Sequence, residues 1–131
     1  MKYLMLAYTN ADAWQDAVAG FDPGAPLPPE VQAACDFYEQ LGKELSESGE
    51  FVTTEGLADP SHTKTIRKRP AGSPEVTDGP YAEVKEVLAS YAIVDCESYD
   101  RAVEIGARIA DAVGDTIEIR PIMDAFGAPD L

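Results

Sequence analysis

VLASYAIVD, residues 87–95, decides the fold. The run is rich in β-branched and aromatic residues and closes on a charged residue, the composition of a strand. Val87, Ala89, Tyr91 and Ile93 take one face, and Leu88, Ser90, Ala92 and Val94 take the other, so neither face is wet. Both faces of such a strand must be covered.

A second stretch has the same character. KYLMLAYT, residues 2–9, places Tyr3, Met5 and Ala7 on one side and Leu4, Leu6 and Tyr8 on the other, and ends at the turn former Asn10. After the 87–95 strand, Ser98 is a good N-cap for a helix to about Val113, with the stripe Ala102, Ile105, Ile109 and Val113, and Gly114 ends it. Thr116–Met123 reads as the last strand, Ile117 and Ile119 alternating with Glu118 and Arg120. Toward the N-terminus, residues 29–48 read as a long helix. Val31, Ala34, Cys35, Tyr38, Leu41 and Leu45 recur every three or four residues, Pro28 and Pro29 suit the entry, and Gly49 suits an αL exit. Phe51–Gly56 and Thr63–Arg69 read as strands, and Val76–Thr77 as a brief extended piece. Residues 10–28, with Gly20, Pro23, Gly24, Pro26 and Pro28, form a loop by composition, with room for one helical turn around Asp12–Val18.

The order is β-α-β-β-α-β, an α+β ferredoxin-like arrangement in which two helices cover one face of an antiparallel sheet. The other face gets no cover from these elements, although the 2–9 and 87–95 strands are apolar on that side too. The expected solution is a homodimer, sheet face against sheet face. The alternative is that the 10–28 loop folds its Trp14 and Phe21 over the sheet.

Composition bounds the function. The chain has 131 residues, 45% hydrophobic and 26% charged, which suits one globular domain, read as residues 1–124 with a short tail at 125–131. A formal net charge of −14 repels phosphate backbones and anionic bilayers, so neither nucleic acid nor membrane is an expected partner. The start MKYLMLAY is too short for a signal peptide or a membrane span, which makes the expected location cytoplasmic. Cys35 and Cys96 lack metal-type spacing and read as reduced core thiols. With a single histidine besides, the sequence offers no metal-ligand set, and no cofactor is expected. No phosphate-binding loop, dinucleotide fingerprint or hydrolase elbow is found.

Residues 77–86, TDGPYAEVKE, are the most distinctive block. Asp78-Gly79-Pro80 is a turn by its chemistry, and Pro80 cannot donate to a central ladder. With the opening MKYLMLAY and the closing EIRPIM at 118–123, this block resembles the YCII-related proteins, and within them the DGPF subgroup. Tyr81 departs from the usual phenylalanine but keeps an aromatic ring. The resemblance spans Met1–Met123. It implies a dimeric α/β barrel made from two ferredoxin-like sheets. YCII-like proteins have been suggested to act through a histidine and an aspartate in a cleft, and DGPF proteins have been linked to extracytoplasmic-function sigma factors, so a regulatory partner is the alternative to a small-molecule site. The histidine is expected in or near the first helix, which has none here.

The residues therefore leave open whether the chain is an enzyme. Asp78 is the first candidate for a catalytic carboxylate, as a partly buried general base beside the 87–95 strand, or else it is a turn residue. His62, the only histidine, is a candidate acid or base set in the polar loop DPSHTK. Arg67 and Arg120 on their strands can hold a ligand carboxylate, or pair with Glu118, Glu83 or Asp95. Tyr8, Gly79, Pro80 and Tyr81 complete the expected ligand-binding cleft around the turn, and Tyr91 either joins them or belongs to the core.

Overall fold

Two long strands, β1 (Lys2–Asn10) and β5 (Glu86–Asp95), pair antiparallel at the centre of the sheet. These are the two runs that are apolar on both faces, and central position is where such strands belong. The computed structural model describes residues 1–79 and 85–124. Between β1 and β5 lie α1 (Ala11–Ala19), α2 (Pro29–Ser48), β2 (Phe51–Gly56), a single 3₁₀ turn at Pro60–His62, β3 (Lys64–Arg67) and β4 (Glu75–Asp78). After β5 come α3 (Tyr99–Val113) and β6 (Thr116–Pro121). The main sheet has the order β2-β5-β1-β6 with every pairing antiparallel, the ferredoxin-like arrangement. β3 and β4 form their own two-stranded sheet, so the 63–69 run is an excursion and not part of the main sheet. The sheet is open at β2 and β6, and one chain closes no barrel.

Local chemistry sets the helix ends. Asn10 caps α1, its Oδ1 accepting from the Asp12 and Ala13 amides at 2.9 and 3.0 Å. The expected single turn at 12–18 is thereby a helix of 9 residues. The Ser98 side chain accepts from the Arg101 amide at 3.1 Å and starts α3. Gly49 and Gly114 end α2 and α3 in the left-handed region, at φ 80° and 79°.

The core lies between the sheet and the two long helices. Tyr3 and Met5 of β1, Val94 and Cys96, Leu41 and Leu45 of α2, and Ala102, Ile105 and Ile109 of α3 are buried together. α3 comes very close to β6 at Gly106, where a Cβ would stand 2.8 Å from Ile119 Cδ1. The front half of α2 departs from its expected stripe. Val31, Cys35 and Tyr38 are exposed, so Cys35 is not the core thiol its spacing suggested. Cys96 is, and burial pushes its thiol up to about 11.

Register decides what lies on the uncovered face. Opposite residues share a face, so Leu4 with Ile93 and Arg120, and Leu6 with Tyr91 and Glu118, point away from the helices. A bulge in β5 sets Ala7 against Ser90 but Tyr8 against Leu88, leaving Ala89 as the extra residue. Leu88 thus joins Tyr8, Tyr91 and Ile93 on the open side, contrary to strict alternation. Leu88 is 37% exposed and Phe21 67% exposed, so Phe21 does not fold over the sheet. The Trp14 indole lies near Asp59, at the 3₁₀ turn. Among the described residues, no helix is long and apolar enough to cross a membrane.

Candidate small-molecule site

The uncovered face ends in a broad depression of about 910 Å³, bordered by Tyr8, Asn10, Lys85, Glu86, Thr116 and Glu118. β1 contributes Tyr8 from beside the bulge, and β6 presents Thr116 and Glu118 from the face turned away from α3. The Tyr8 hydroxyl donates to Glu118 Oε2 at 3.1 Å, and the Thr116 hydroxyl donates to Glu86 Oε1 at 2.9 Å. Desolvation first, and the bond to Glu118 second, push the Tyr8 phenol above its ordinary pKa. Tyr8 is therefore a neutral donor near neutral pH, not a phenolate base. Lys85 is fastened by its carbonyl, which accepts from the Ala11 amide at 2.8 Å.

Arg120 shares the open face, opposite Leu4, and is exposed without an ion pair among the described residues. Of the partners considered for Arg120, Glu118 instead accepts from the Tyr8 hydroxyl. Tyr91 is on this face too, half-buried opposite Leu6.

Asp78, Gly79 and Arg67 sit on the hairpin excursion, and His62 on the 3₁₀ turn before it. Asp78 is not the partly buried carboxylate foreseen. It ends β4 opposite Lys64, forms an ion pair with it, and its side chain is 80% exposed. The physical reason is its place in a two-stranded ribbon that packs mainly on itself. Gly79, at φ 94°, is held on both sides by the Thr63–Thr65 segment at the start of β3: its amide donates to the Thr63 carbonyl at 2.8 Å, and its own carbonyl accepts from the Thr65 hydroxyl at 2.8 Å. That positive φ is why glycine follows Asp78. Arg67 is exposed and lies opposite Glu75. His62 closes the 3₁₀ turn, exposed, with its amide donating to the Asp59 carbonyl at 2.9 Å. The Asp59 carboxyl is held below its usual range chiefly by the Ser61 amide, with His62 and Trp14 lesser causes. Pro80 and Tyr81 lie outside the described residues, as does Glu83. No described His, Cys, Asp or Glu residues cluster in a way that could hold a metal ion.

Of the residues that border the depression, only Tyr8 was expected as a site residue. The available signal was the alternation of TIEIR at 116–120, which turns Glu118 away from α3. Only the β1–β6 register places Glu118 beside Tyr8.

A family model for the YCII-related domain matches residues 1–125. An uncharacterized protein of Rhizobium meliloti (strain 1021) is 33% identical over 78 residues, which is 58% of this chain. The matched segment spans 62% of that relative's length. With the opening strand, the ferredoxin-like sheet and the closing strand all inside the matched span, the chain belongs to the YCII-related domain family.

Proposed function

We propose that the protein is a homodimer, of the DGPF type, that binds a small polar molecule in the depression at the end of its open sheet face. The carrying observation is the Tyr8–Glu118 pair in that depression, beside Lys85 and Glu86. Glu86 and Glu118 favour a ligand rich in hydrogen-bond donors or carrying an amine, and the neutral Tyr8 can accept from such a ligand while donating to Glu118. Lys85 and Glu86, at the end of the 77–86 block, form part of its rim, with Arg120 further along the same face. His62 and Asp78 are not among the residues that border the depression, so binding rather than chemistry by that pair is the function we favour.

The test is a thermal-shift screen of small amines, polyols and carboxylates on the wild type, Tyr8→Phe and Asp78→Ala. A ligand at 100 times its Kd stabilises the native state by about 2.7 kcal/mol. Amines or polyols should raise the wild-type Tm, with the shift reduced in Tyr8→Phe. If no compound stabilises the wild type more than Tyr8→Phe, the reading fails.

The net charge of −14 favours a second reading, an accessory protein that docks a basic regulator such as a sigma factor. A pull-down at physiological salt that recovers nothing but the protein itself counts against it.

A further inference from the structure

On the helix side of the sheet, residues of α2, α3, β2 and β5 surround a space that their side chains do not fill. The gap is a cavity of about 310 Å³. Its walls include Leu41 and Leu45 of α2, Phe51 of β2, Val94 of β5, and Ile105 and Ile109 of α3. Between these large side chains the lining turns small, at Gly42, Gly56, Ser90 and Ala92.

Two of those small residues are informative. A Cβ built on Gly42 or on Gly56 would meet no heavy atom within 4 Å. Gly42 sits inside α2, where glycine disfavours the helix relative to alanine. Neither a positive φ nor close packing calls for glycine there. The sequence keeps this space open where a methyl group would enter without obstruction.

The cavity also has polar fittings. Ser90 faces it from β5, and Tyr38 stands at its mouth, 41% exposed. Neither hydroxyl makes a hydrogen bond among the described residues, whereas the Thr54 hydroxyl is taken by the Tyr91 carbonyl at 3.1 Å. Burial first, and the Asp115 carboxyl second, push the Tyr38 phenol above its ordinary pKa, so it stands at the mouth as a neutral hydroxyl, and the apolar wall disfavours a charged ligand. An apolar wall with a few convergent polar groups is the usual form of a small-molecule site, and such sites run from roughly 300 to 1,000 Å³. Apolar cavities of only about 150 Å³ already take up benzene.

We propose that this cavity binds a small, uncharged, largely apolar molecule that carries one hydroxyl or carbonyl group, held by Ser90 and Tyr38. It is separate from the depression described above. Ala7 and Ser90 face the helices, while Tyr8 and Leu88 face the other way.

The experiment is ¹³C-methyl NMR on the full chain titrated with n-octanol, with octanoate as the charged control. Octanol should shift the methyls of Ile105, Ile109 and Val94 saturably, and octanoate should bind at least tenfold more weakly. Gly42→Leu fills the cavity from the helix and Ala92→Leu from the sheet. Each should weaken octanol binding at least tenfold in a protein whose circular dichroism is unchanged. If one variant misfolds, the other decides. Absence of saturable shifts in the wild type would overturn the proposal. So would shifts confined to Leu4, Leu6 and Leu88 of the opposite face, or undiminished octanol affinity in a folded, filled variant.

Discussion

Replacing Glu50 by glutamine tests how the edge of the sheet is fixed to the helical layer. Glu50 follows the αL exit of α2 and immediately precedes β2. Its carboxylate accepts from Arg101 Nε at 2.9 Å and Nη2 at 3.0 Å, a two-pronged bond from α3. The Ser48 hydroxyl adds a third bond at 2.7 Å, and Arg101 also reaches Glu104 at 2.8 Å. Arg101 is the leading cause that holds the Glu50 carboxyl at about 2, against an ordinary 4.5. At about 1.36 kcal/mol per pH unit, that difference has an upper bound of ~3.4 kcal/mol. The side chains of Arg101 and Glu50 are 26% and 15% exposed, so water screens the pair. We expect about 1.5–2 kcal/mol to remain.

Because the folded pKa is depressed, this stabilisation is fully present above about pH 5 and is lost as the pH falls through 4.5 toward 2. Urea unfolding of wild type and Glu50→Gln at pH 7 and pH 2.5, at one protein concentration, isolates the pair from the other carboxylates. The variant should be about 1.5–2 kcal/mol less stable at pH 7, or roughly 5–8 °C lower in Tm for a chain of this length. Most of that difference should vanish at pH 2.5. A deficit below 0.5 kcal/mol at pH 7, or an equal deficit at both pH values, would refute the reasoning.

The sheet-face pairing predicts a mass near twice 14.1 kDa by light scattering at micromolar concentration. Leu6→Glu, placed between Tyr91 and Glu118, should reduce this to one chain's mass with unchanged circular dichroism, and a single-chain mass for the wild type sinks the dimer. Ile105→Ala should lose about 2–5 kcal/mol in urea unfolding, since Ile105 is 0% exposed at the centre of the core, and a loss under 1 kcal/mol would mean that α3 packs otherwise.

The long elements were legible because each carries a period and a boundary. Ser98 and Gly114 bracket α3, Pro29 and Gly49 bracket α2, and the apolar run at 87–95 marks a strand near the sheet centre. What escaped the sequence depended on pairing between distant segments. Thr63–Arg69 alternates like a sheet strand, yet its partner is β4 in a separate ribbon, where Ile66 lies opposite Val76 with both exposed. Periodicity placed Cys35 in the α2 stripe, but only the second half of that helix, at Leu41 and Leu45, is buried. The candidate site divided for the same reason. Asp78, Gly79 and Arg67 belong to the excursion and His62 to the turn before it, whereas Tyr8 meets Glu118 across 110 residues of chain.

The bulge at Ala89 connects these features to the dimer we propose. Without it, Leu88 would follow Ser90, Ala92 and Val94 toward the helices, and the smaller Ala89 would take its place beside Tyr8 on the open face. With it, Leu4, Leu6, Tyr8, Leu88, Tyr91 and Ile93 line one continuous strip on the two central strands. Glu118 and Arg120 flank that strip on β6, and Thr53 and Glu55 on β2. An apolar strip with polar margins on both sides fits a face meant to be covered. A second copy offers the same strip in reverse, which a two-fold axis brings into register without further sequence. The depression at Tyr8 lies at the end of that strip, so pairing would narrow the site and exclude water from it. Ligand binding and dimerisation should then be coupled, and Leu6→Glu should weaken the binding of amines or polyols although it leaves every residue of the depression in place.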